Sequence, residues 1–136
     1  MSDLTKEELA ELAALEEEEK ERARAEASAA KRQHLEALRL QKKLAAKHGV
    51  PGRDFLVIET VVGNIAFRRP IDVEIDSLAE KTDDREEVEK FACAVAITPT
   101  ADELRALMAS HHGLAGAIVT HSTKMLRVVR EEDAKK

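Results

Sequence analysis

The first third of the chain has a different residue pattern from the rest. Residues 5–48 contain no glycine or proline, and alanine, glutamate, leucine, lysine and arginine dominate them, which are strong helix formers. Thr5 and Glu8 have the spacing of a capping box, and Gly49 suits the position after a last helical turn. The pattern therefore predicts one long helix over residues 5–48.

The apolar residues of this helix do not form a continuous stripe. Leucines cluster near its two ends, and alanine is the only apolar residue type in the charged segment 16–32 between them. A coiled coil needs apolar a and d positions over several heptads, and the middle interrupts that pattern. Two interpretations stay open: an arm that docks its ends on partners, or a solvated helix that frays when alone. Dimerisation through a coiled coil is a further interpretation.

After Gly49 the spacing of apolar residues becomes that of strands. Residues 55–62 are rich in β-branched side chains, which favour strands. Gly63 and Asn64 follow, and then a second run, 65–69, which begins with Ile, Ala and Phe and ends in two arginines. Two such runs separated by Gly-Asn predict a β-hairpin whose turn needs positive φ.

The apolar positions after Pro70 recur at helical spacing. Asp72, Asp84 and Thr100 are plausible N-caps of successive helices, and Pro99 interrupts the helical pattern between two of them. The pattern predicts about four short helices after the hairpin.

These patterns together predict a fold that is α+β and mostly α. It consists of a long charged helix over residues 1–49, acting as an arm or a coiled coil. A small α+β domain with a hairpin and a helical bundle follows over residues 50–136.

Composition narrows the class of protein. Charged residues make up 36% of the 136 residues, and the formal net charge is -5. This acidic balance argues against a nucleic-acid partner, because phosphate binding needs a concentrated basic surface. No apolar run approaches the ~18–20 residues that span a membrane, and the N-terminus lacks the apolar core of a signal peptide. We therefore expect a cytoplasmic protein with neither nucleic acid nor membrane as a partner.

Residues suited to chemistry are few. Cys93 lies in an apolar helical segment, where a small core residue is expected. His111 and His112 are adjacent and would point apart on a helix, unlike zinc ligands. Arg68 and Arg69 would lie on opposite faces of a strand. They could bind a partner's carboxylate or phosphate, or protect an edge strand from aggregation. We predict no catalytic residue, no cofactor and no metal.

The stretch Asp54–Pro70, together with residues 91–99 and 112–115, resembles small phage proteins encoded among tail genes, the tail assembly chaperones. In that group a hairpin ending in an Arg-Pro step leads into a helix, and a helix of small residues ends near a proline. The resemblance implies a non-enzymatic protein that keeps an apolar, helical tape-measure protein soluble in the host cytoplasm while the tail tube is built.

We expect a protein partner to be bound by apolar helix faces of the domain rather than by the charged middle of the long helix. The residues expected to contact it are Arg68, Arg69, Leu104, Leu107, Met108, Ile118 and Met125. The alternative is a structural or adaptor protein of a larger virion or phage-like particle. It would use the long helix as a coiled coil or docking arm, and could form a homo-oligomer through it.

Overall fold

The computed structural model describes the backbone of residues 3–135 and the side chains of residues 3–134. Residues 1 and 2 of the predicted helical part and residue 136 of the predicted domain lie outside the described residues. Its elements are α1 (Lys6–His48), β1 (Phe55–Thr60), β2 (Gly63–Arg68), α2 (Asp72–Ala79), α3 (Arg85–Val95), β3 (Ala96–Thr98), α4 (Ala101–Ser110) and α5 (Leu114–Lys135). The predicted class, α+β and mostly α, is confirmed, with its long first helix, hairpin and shorter helices. In this part of the chain, no helix has both the length and the apolar character needed to cross a membrane.

Helix α1 begins and ends at the predicted signals. The N–H of Glu8 donates to the Thr5 hydroxyl at 3.1 Å, and the N–H of Thr5 donates to the Glu8 carboxylate at 3.2 Å. The helix ends at His48, and Gly49 follows with φ of 112°. A side chain at that φ would be strained, so glycine stops the helix there.

The chain forms two compact units, one up to Leu35 and one from Glu36 onward. In the first unit, the side chains described before Gln33 are all exposed. In the second, Ala37 of α1 is buried and Leu44 is half-buried, and the His48 ring lies 6.1 Å from the ring of Phe55. The division lies earlier than the predicted one near Gly49, because glycine marks where a helix ends, not where its side chains begin to pack.

The hairpin pairs β1 with β2 in the antiparallel register that places Thr60 opposite Gly63. The loop is therefore Val61–Val62, and the predicted Gly-Asn turn is wrong. Gly63 has φ of 116°, whereas neither valine has a positive φ, so this is not a primed two-residue turn. The Thr60 hydroxyl accepts a hydrogen bond from the Val62 N–H at 3.2 Å and donates one to the Gly63 carbonyl at 2.6 Å. These two hydrogen bonds stabilise the loop.

Strand β3 was not predicted. It pairs antiparallel with β2, with Phe67 opposite Ala96 and Ala66 opposite Thr98, so the strand order is β1-β2-β3. The apolar spacing predicts a helix that continues toward Pro99, but the residue before a proline disfavours helical φ and ψ. A strand of three residues is also too short to show an alternating pattern.

The helices after the hairpin begin mostly as predicted. Asp84 and Thr100 cap α3 and α4 with their side chains. Asp72, the predicted cap of α2, is instead its first helical residue, and Ile71 occupies the cap position. The carboxylate of Glu74 accepts a hydrogen bond from the Ile71 N–H at 2.9 Å, so the residue that secures this helix start lies inside the helix.

One apolar core joins the hairpin to the four later helices. Its members are Ile58, Ile65, Phe67, Leu78, Phe91, Ala92, Val95, Leu104, Met108, Leu114, Ala115, Ile118 and Met125. Each large side chain that is fully buried contributes about 1.5–3 kcal/mol. This core fixes α2 and α3 against the sheet, where the candidate site lies.

Candidate functional site

The guanidinium of Arg68 connects three elements of the domain. From β2 it makes two hydrogen bonds to the Glu74 carboxylate on α2, at 2.8 and 2.7 Å. Its Nη2 also donates to the carbonyl of Ala94 on α3 at 3.1 Å. A planar guanidinium with five donors suits such a two-pronged contact. Arg68 therefore links α2 to α3.

The same contact favours the ionised form of Glu74. The hydrogen bond from Arg68 lowers the pKa of the Glu74 carboxyl, burial opposes that effect, and the Ile71 N–H lowers the pKa further. The Glu74 hydrogen bond likewise raises the pKa of Arg68. The role of Arg68 in binding a partner stays a prediction, but its guanidinium already makes hydrogen bonds to Glu74 and to the Ala94 carbonyl within the domain.

Arg69 holds the two ends of the hairpin together. Its backbone N–H donates to the carbonyl of Asp54 at 2.9 Å, and its guanidinium lies 3.6 Å from the Asp54 carboxylate. The other oxygen of that carboxylate accepts from the Val50 N–H at 2.7 Å. The second predicted arginine is thus also used in a structural contact, between the hairpin and the loop after α1.

A groove of about 230 Å³ lies between α2 and α3. It is lined by Val73, Glu74, Ser77, Leu78, Glu87, Lys90, Phe91 and Ala94. Leu78 and Phe91 are buried and belong to the core, whereas Val73 is 69% exposed. The Lys90 ammonium lies 3.7 Å from the Glu87 carboxylate and adds charge to the lining. The groove can accept an apolar side chain and offers both signs of charge beside it.

Val73 is the exposed apolar residue of this groove. Ile71, two residues earlier, is 60% exposed, but it lines a separate groove with Leu126 and Val129 of α5. Isolated exposed apolar residues are common, whereas one beside an apolar groove can contribute to an interaction surface. The sequence offered one signal for this surface, since Val73 lies away from the Ile75 and Leu78 stripe on the helix.

The five apolar residues predicted to contact a partner lie mostly in the core. Leu104, Met108, Ile118 and Met125 are buried, and Leu107 is half-buried. They do not form an exposed surface in this conformation, and their contact with a partner stays a prediction. An apolar stripe on a helix has the same spacing whether it faces a core or a partner.

The candidate chemical residues lie apart from this groove. Cys93 is half-buried, with its sulfur 3.6 Å from the carbonyl of Ala101. The His111 Nδ1 is 3.3 Å from the carbonyl of Leu107, at the end of α4. Over residues 3–135, no group of three or more His, Cys, Asp or Glu side chains could hold a metal ion.

No protein-family model, curated protein or solved structure matches this chain. The resemblance to tail assembly chaperones therefore stays a prediction from the residues that carry it.

Proposed function

We propose that this protein is a non-enzymatic assembly chaperone that binds an apolar helical segment of a protein partner between α2 and α3. The observation that carries the proposal is the apolar groove with Leu78 and Phe91 buried in its lining and Val73 exposed at its side. Burying an exposed valine and the facing partner residue removes apolar surface from water, which favours association.

A helical partner fits this groove better than an extended one. The groove runs between two helices, and an amphipathic helix can insert apolar anchors spaced three or four residues apart into such a surface. Glu87 and Lys90 offer charges for its polar flanks. The resemblance to tail assembly chaperones supplies the class of client, an apolar tape-measure protein that must be kept soluble during assembly.

An adaptor function is the second candidate, and a separate observation supports it. Four leucines near the start of the chain are 43–51% exposed: Leu4, Leu9, Leu12 and Leu15. An adaptor would bury them permanently against another component of a particle. It would use α1 and not the groove as its binding surface.

Affinity for a peptide from a candidate tape-measure protein tests the two functions against each other. We expect Val73→Asp to weaken binding about tenfold or more, because it places a charge at the apolar contact. Val61→Asp is the matched control, since Val61 is 94% exposed on the hairpin loop and lies outside the groove. Binding should also be nearly constant or slightly stronger at high salt.

The opposite results would contradict the chaperone proposal. Binding that survives Val73→Asp but disappears when residues 1–35 are removed would favour the adaptor function. A steep loss of affinity with salt would show that the charges of α1 dominate recognition.

A further inference from the structure

The acidic residues of the folded domain are concentrated beside the groove between α2 and α3. Residues 72–90 contain nine aspartates and glutamates and three lysines and arginines, a formal net charge of -6. Residues 50–71 and 91–136 together contain seven acidic and nine basic residues, a formal net charge of +2. The net negative charge of the domain therefore lies in the segment that supplies most of the groove lining.

The stability of the two helices explains only part of this charge. Acidic residues in the first turns of α2 and α3 complement the helix macrodipole, and Asp84 caps α3. At the end of a helix the macrodipole favours cations. However, α2 has no basic residue in its last turn, and Glu80 occupies its C-cap. The negative charge at the end of α2 thus has no explanation in the helix itself.

At one end of the groove, positive and negative charges offset one another. The Arg68 guanidinium makes hydrogen bonds to the Glu74 carboxylate at 2.8 and 2.7 Å, and to the Ala94 carbonyl at 3.1 Å. Glu74 and Ala94 line the groove from α2 and α3 respectively. Because the Glu74 charge is matched by that of Arg68, this end gives a partner no preference for either sign.

The opposite end of the groove, at the loop 80–84 that joins α2 to α3, is acidic. Glu80 and Asp83 are exposed in this loop, and Glu87 of the groove lining follows in the first turn of α3. Lys81 is the single basic residue of the loop. A partner that occupies the groove therefore meets net negative charge at this end.

The cations at the start of α3 do not cancel this charge. The Arg85 guanidinium lies 3.0 Å from the Glu89 carboxylate. The Lys90 ammonium lies 3.9 Å from the carboxylate of Glu86 and 3.7 Å from that of Glu87. One lysine thus faces two glutamates, and one negative charge of this group stays unmatched.

We propose that the helical partner of this groove is basic, with apolar anchors between α2 and α3 and with lysine or arginine residues over the loop 80–84. This inference rests on the proposed function, because it requires the groove to be the binding site. Apolar burial supplies most of the affinity, since exposed ion pairs are individually weak. Complementary charge selects among partners and fixes the orientation of the bound helix.

The same charge disfavours three other classes of partner. An acidic helix, the phosphates of a nucleic acid and the headgroups of an anionic membrane would each be repelled by the loop 80–84. A basic helix with apolar anchors is the partner that matches both the apolar lining and the acidic end.

The test uses three synthetic helical peptides and the full chain. The peptides share leucine anchors spaced three and four residues apart, and they differ only in the polar positions of one end, which are lysine, glutamine or glutamate. Fluorescence anisotropy measures their dissociation constants at low salt. We expect the lysine peptide to bind at least about tenfold more tightly than the glutamate peptide, with the glutamine peptide between them.

Salt separates the contributions of charge and of apolar burial. In about 1 M salt the ratio of the two dissociation constants should fall to about twofold or less, because exposed charges are screened. The glutamine peptide should bind with nearly constant affinity over the same range.

Neutralising the acidic end of the groove should remove the preference for lysine. The variant Glu80→Gln with Asp83→Asn and Glu87→Gln should reduce the ratio between the lysine and glutamate peptides to about threefold or less. Its affinity for the glutamine peptide should be unchanged. Circular dichroism and a thermal melt check that the variant folds.

A matched control removes three negative charges elsewhere in the chain. The variant Glu16→Gln with Glu17→Gln and Glu18→Gln lies in the exposed part of α1 and should retain the full preference for the lysine peptide. A preference that this control loses, and that the variant of the loop end keeps, would overturn the inference, because recognition would then use α1.

Failure of the inference and failure of the proposed function give different results. If Val73→Asp weakens binding of the glutamine peptide while the lysine and glutamate peptides bind equally well, the groove is the binding site but the partner need not be basic. That result would overturn this inference alone. If none of the three peptides binds at about 100 μM, the proposed function is contradicted together with the inference.

Discussion

Arg68 lies where β2, α2 and α3 meet, and its guanidinium makes hydrogen bonds to groups on both helices. The carboxylate of Glu74 accepts from Arg68 and from the Ile71 N–H, so the same side chain begins α2 and attaches it to the sheet. Charge-assisted hydrogen bonds of this kind are stronger than neutral ones. The Arg68–Glu74 pair therefore helps to hold α2 in place, and α2 forms one side of the candidate groove.

Loss of the Glu74 charge should destabilise the domain in a pH-dependent way. We expect Glu74→Gln to lower the free energy of unfolding by about 1–2 kcal/mol at neutral pH, since partial exposure of Arg68 weakens the contact. The folded-state pKa of Glu74 lies below its ordinary value of 4.5. Its contribution is therefore complete above that value and is lost as the pH falls through the lowered folded-state pKa. Urea unfolding across this range would measure it.

Glu86→Gln is the control for this prediction. The Glu86 side chain is 80% exposed and lies 3.9 Å from the Lys90 ammonium, so its replacement should change the free energy of unfolding by less than about 0.5 kcal/mol. If the free energies of unfolding of the natural and Glu74→Gln proteins differed by the same amount at neutral and at acid pH, the Glu74 charge would not be the cause of the difference in stability.

Two glycines should respond in opposite ways to alanine. Gly49 has φ of 112°, and a Cβ there would collide with the Asp54 carboxylate, so Gly49→Ala should cost about 1–2 kcal/mol of stability. Gly116 lies in α5, where a Cβ would meet no atom within 4 Å. Gly116→Ala should therefore stabilise the domain by up to about 1 kcal/mol. Thermal unfolding of both variants gives the comparison, and equal effects would contradict it.

At the scale of elements, local sequence decides where most helices begin, but contacts from other elements decide the sheet. Thr100 and Glu103 cap α4 through one another. The hairpin loop falls on Val61–Val62, two residues before the predicted turn at Gly63 and Asn64, because β1 pairs with β2 in the register that places Thr60 opposite Gly63. Strand β3 exists only because β2 offers it a partner.

The same substitution should have different effects in two capping boxes. Thr100→Ala should lower the free energy of unfolding of the domain by about 1 kcal/mol, because α4 carries the core residues Leu104 and Met108. Thr5→Ala removes the equivalent cap of α1, where the neighbouring side chains are exposed. It should reduce helix content but leave the cooperative melt unchanged. A lower melting temperature for Thr5→Ala would mean that the first unit contributes to domain stability.

At the scale of the whole molecule, the chain consists of one unit with exposed side chains and one with a core. Residues up to Leu35 belong to the first, and the second begins at Glu36, so the last turns of α1 count with the domain. Ala37 is buried there, and Leu40 and Leu44 are half-buried. The long helix therefore contributes to both units.

Two truncations should separate these contributions. Removing residues 1–35 should leave the free energy of unfolding within about 0.5 kcal/mol of its full value, because the described side chains before Gln33 are exposed. Removing residues 1–48 also deletes Ala37, Leu40 and Leu44, and should cost about 2 kcal/mol or more while unfolding stays cooperative. Chemical denaturation measures both. Equal stability of the two shortened chains would place the domain boundary near Gly49 after all.

Most of the candidate functional site could not be predicted from the sequence, for a physical reason. Helical spacing identified Leu104, Met108, Ile118 and Met125 as one-sided apolar positions, but burial against a core and exposure to a partner give the same spacing. The sequence indicated that Arg68 would bind a carboxylate or a similar group. It could not identify the partners, because they lie 6 and 26 residues away in sequence.

The sequence by itself determined the features that depend on neighbouring residues. These are the extent of α1, its capping box, its glycine stop, the existence of the hairpin and the caps of α3 and α4, which all rest on propensities and hydrogen bonds within four residues. Only the tertiary structure decided the hairpin loop, strand β3, the start of the domain at Glu36 and the groove between α2 and α3. Each of these depends on residues far apart in sequence, whose meeting is set by packing of the core and not by local preference.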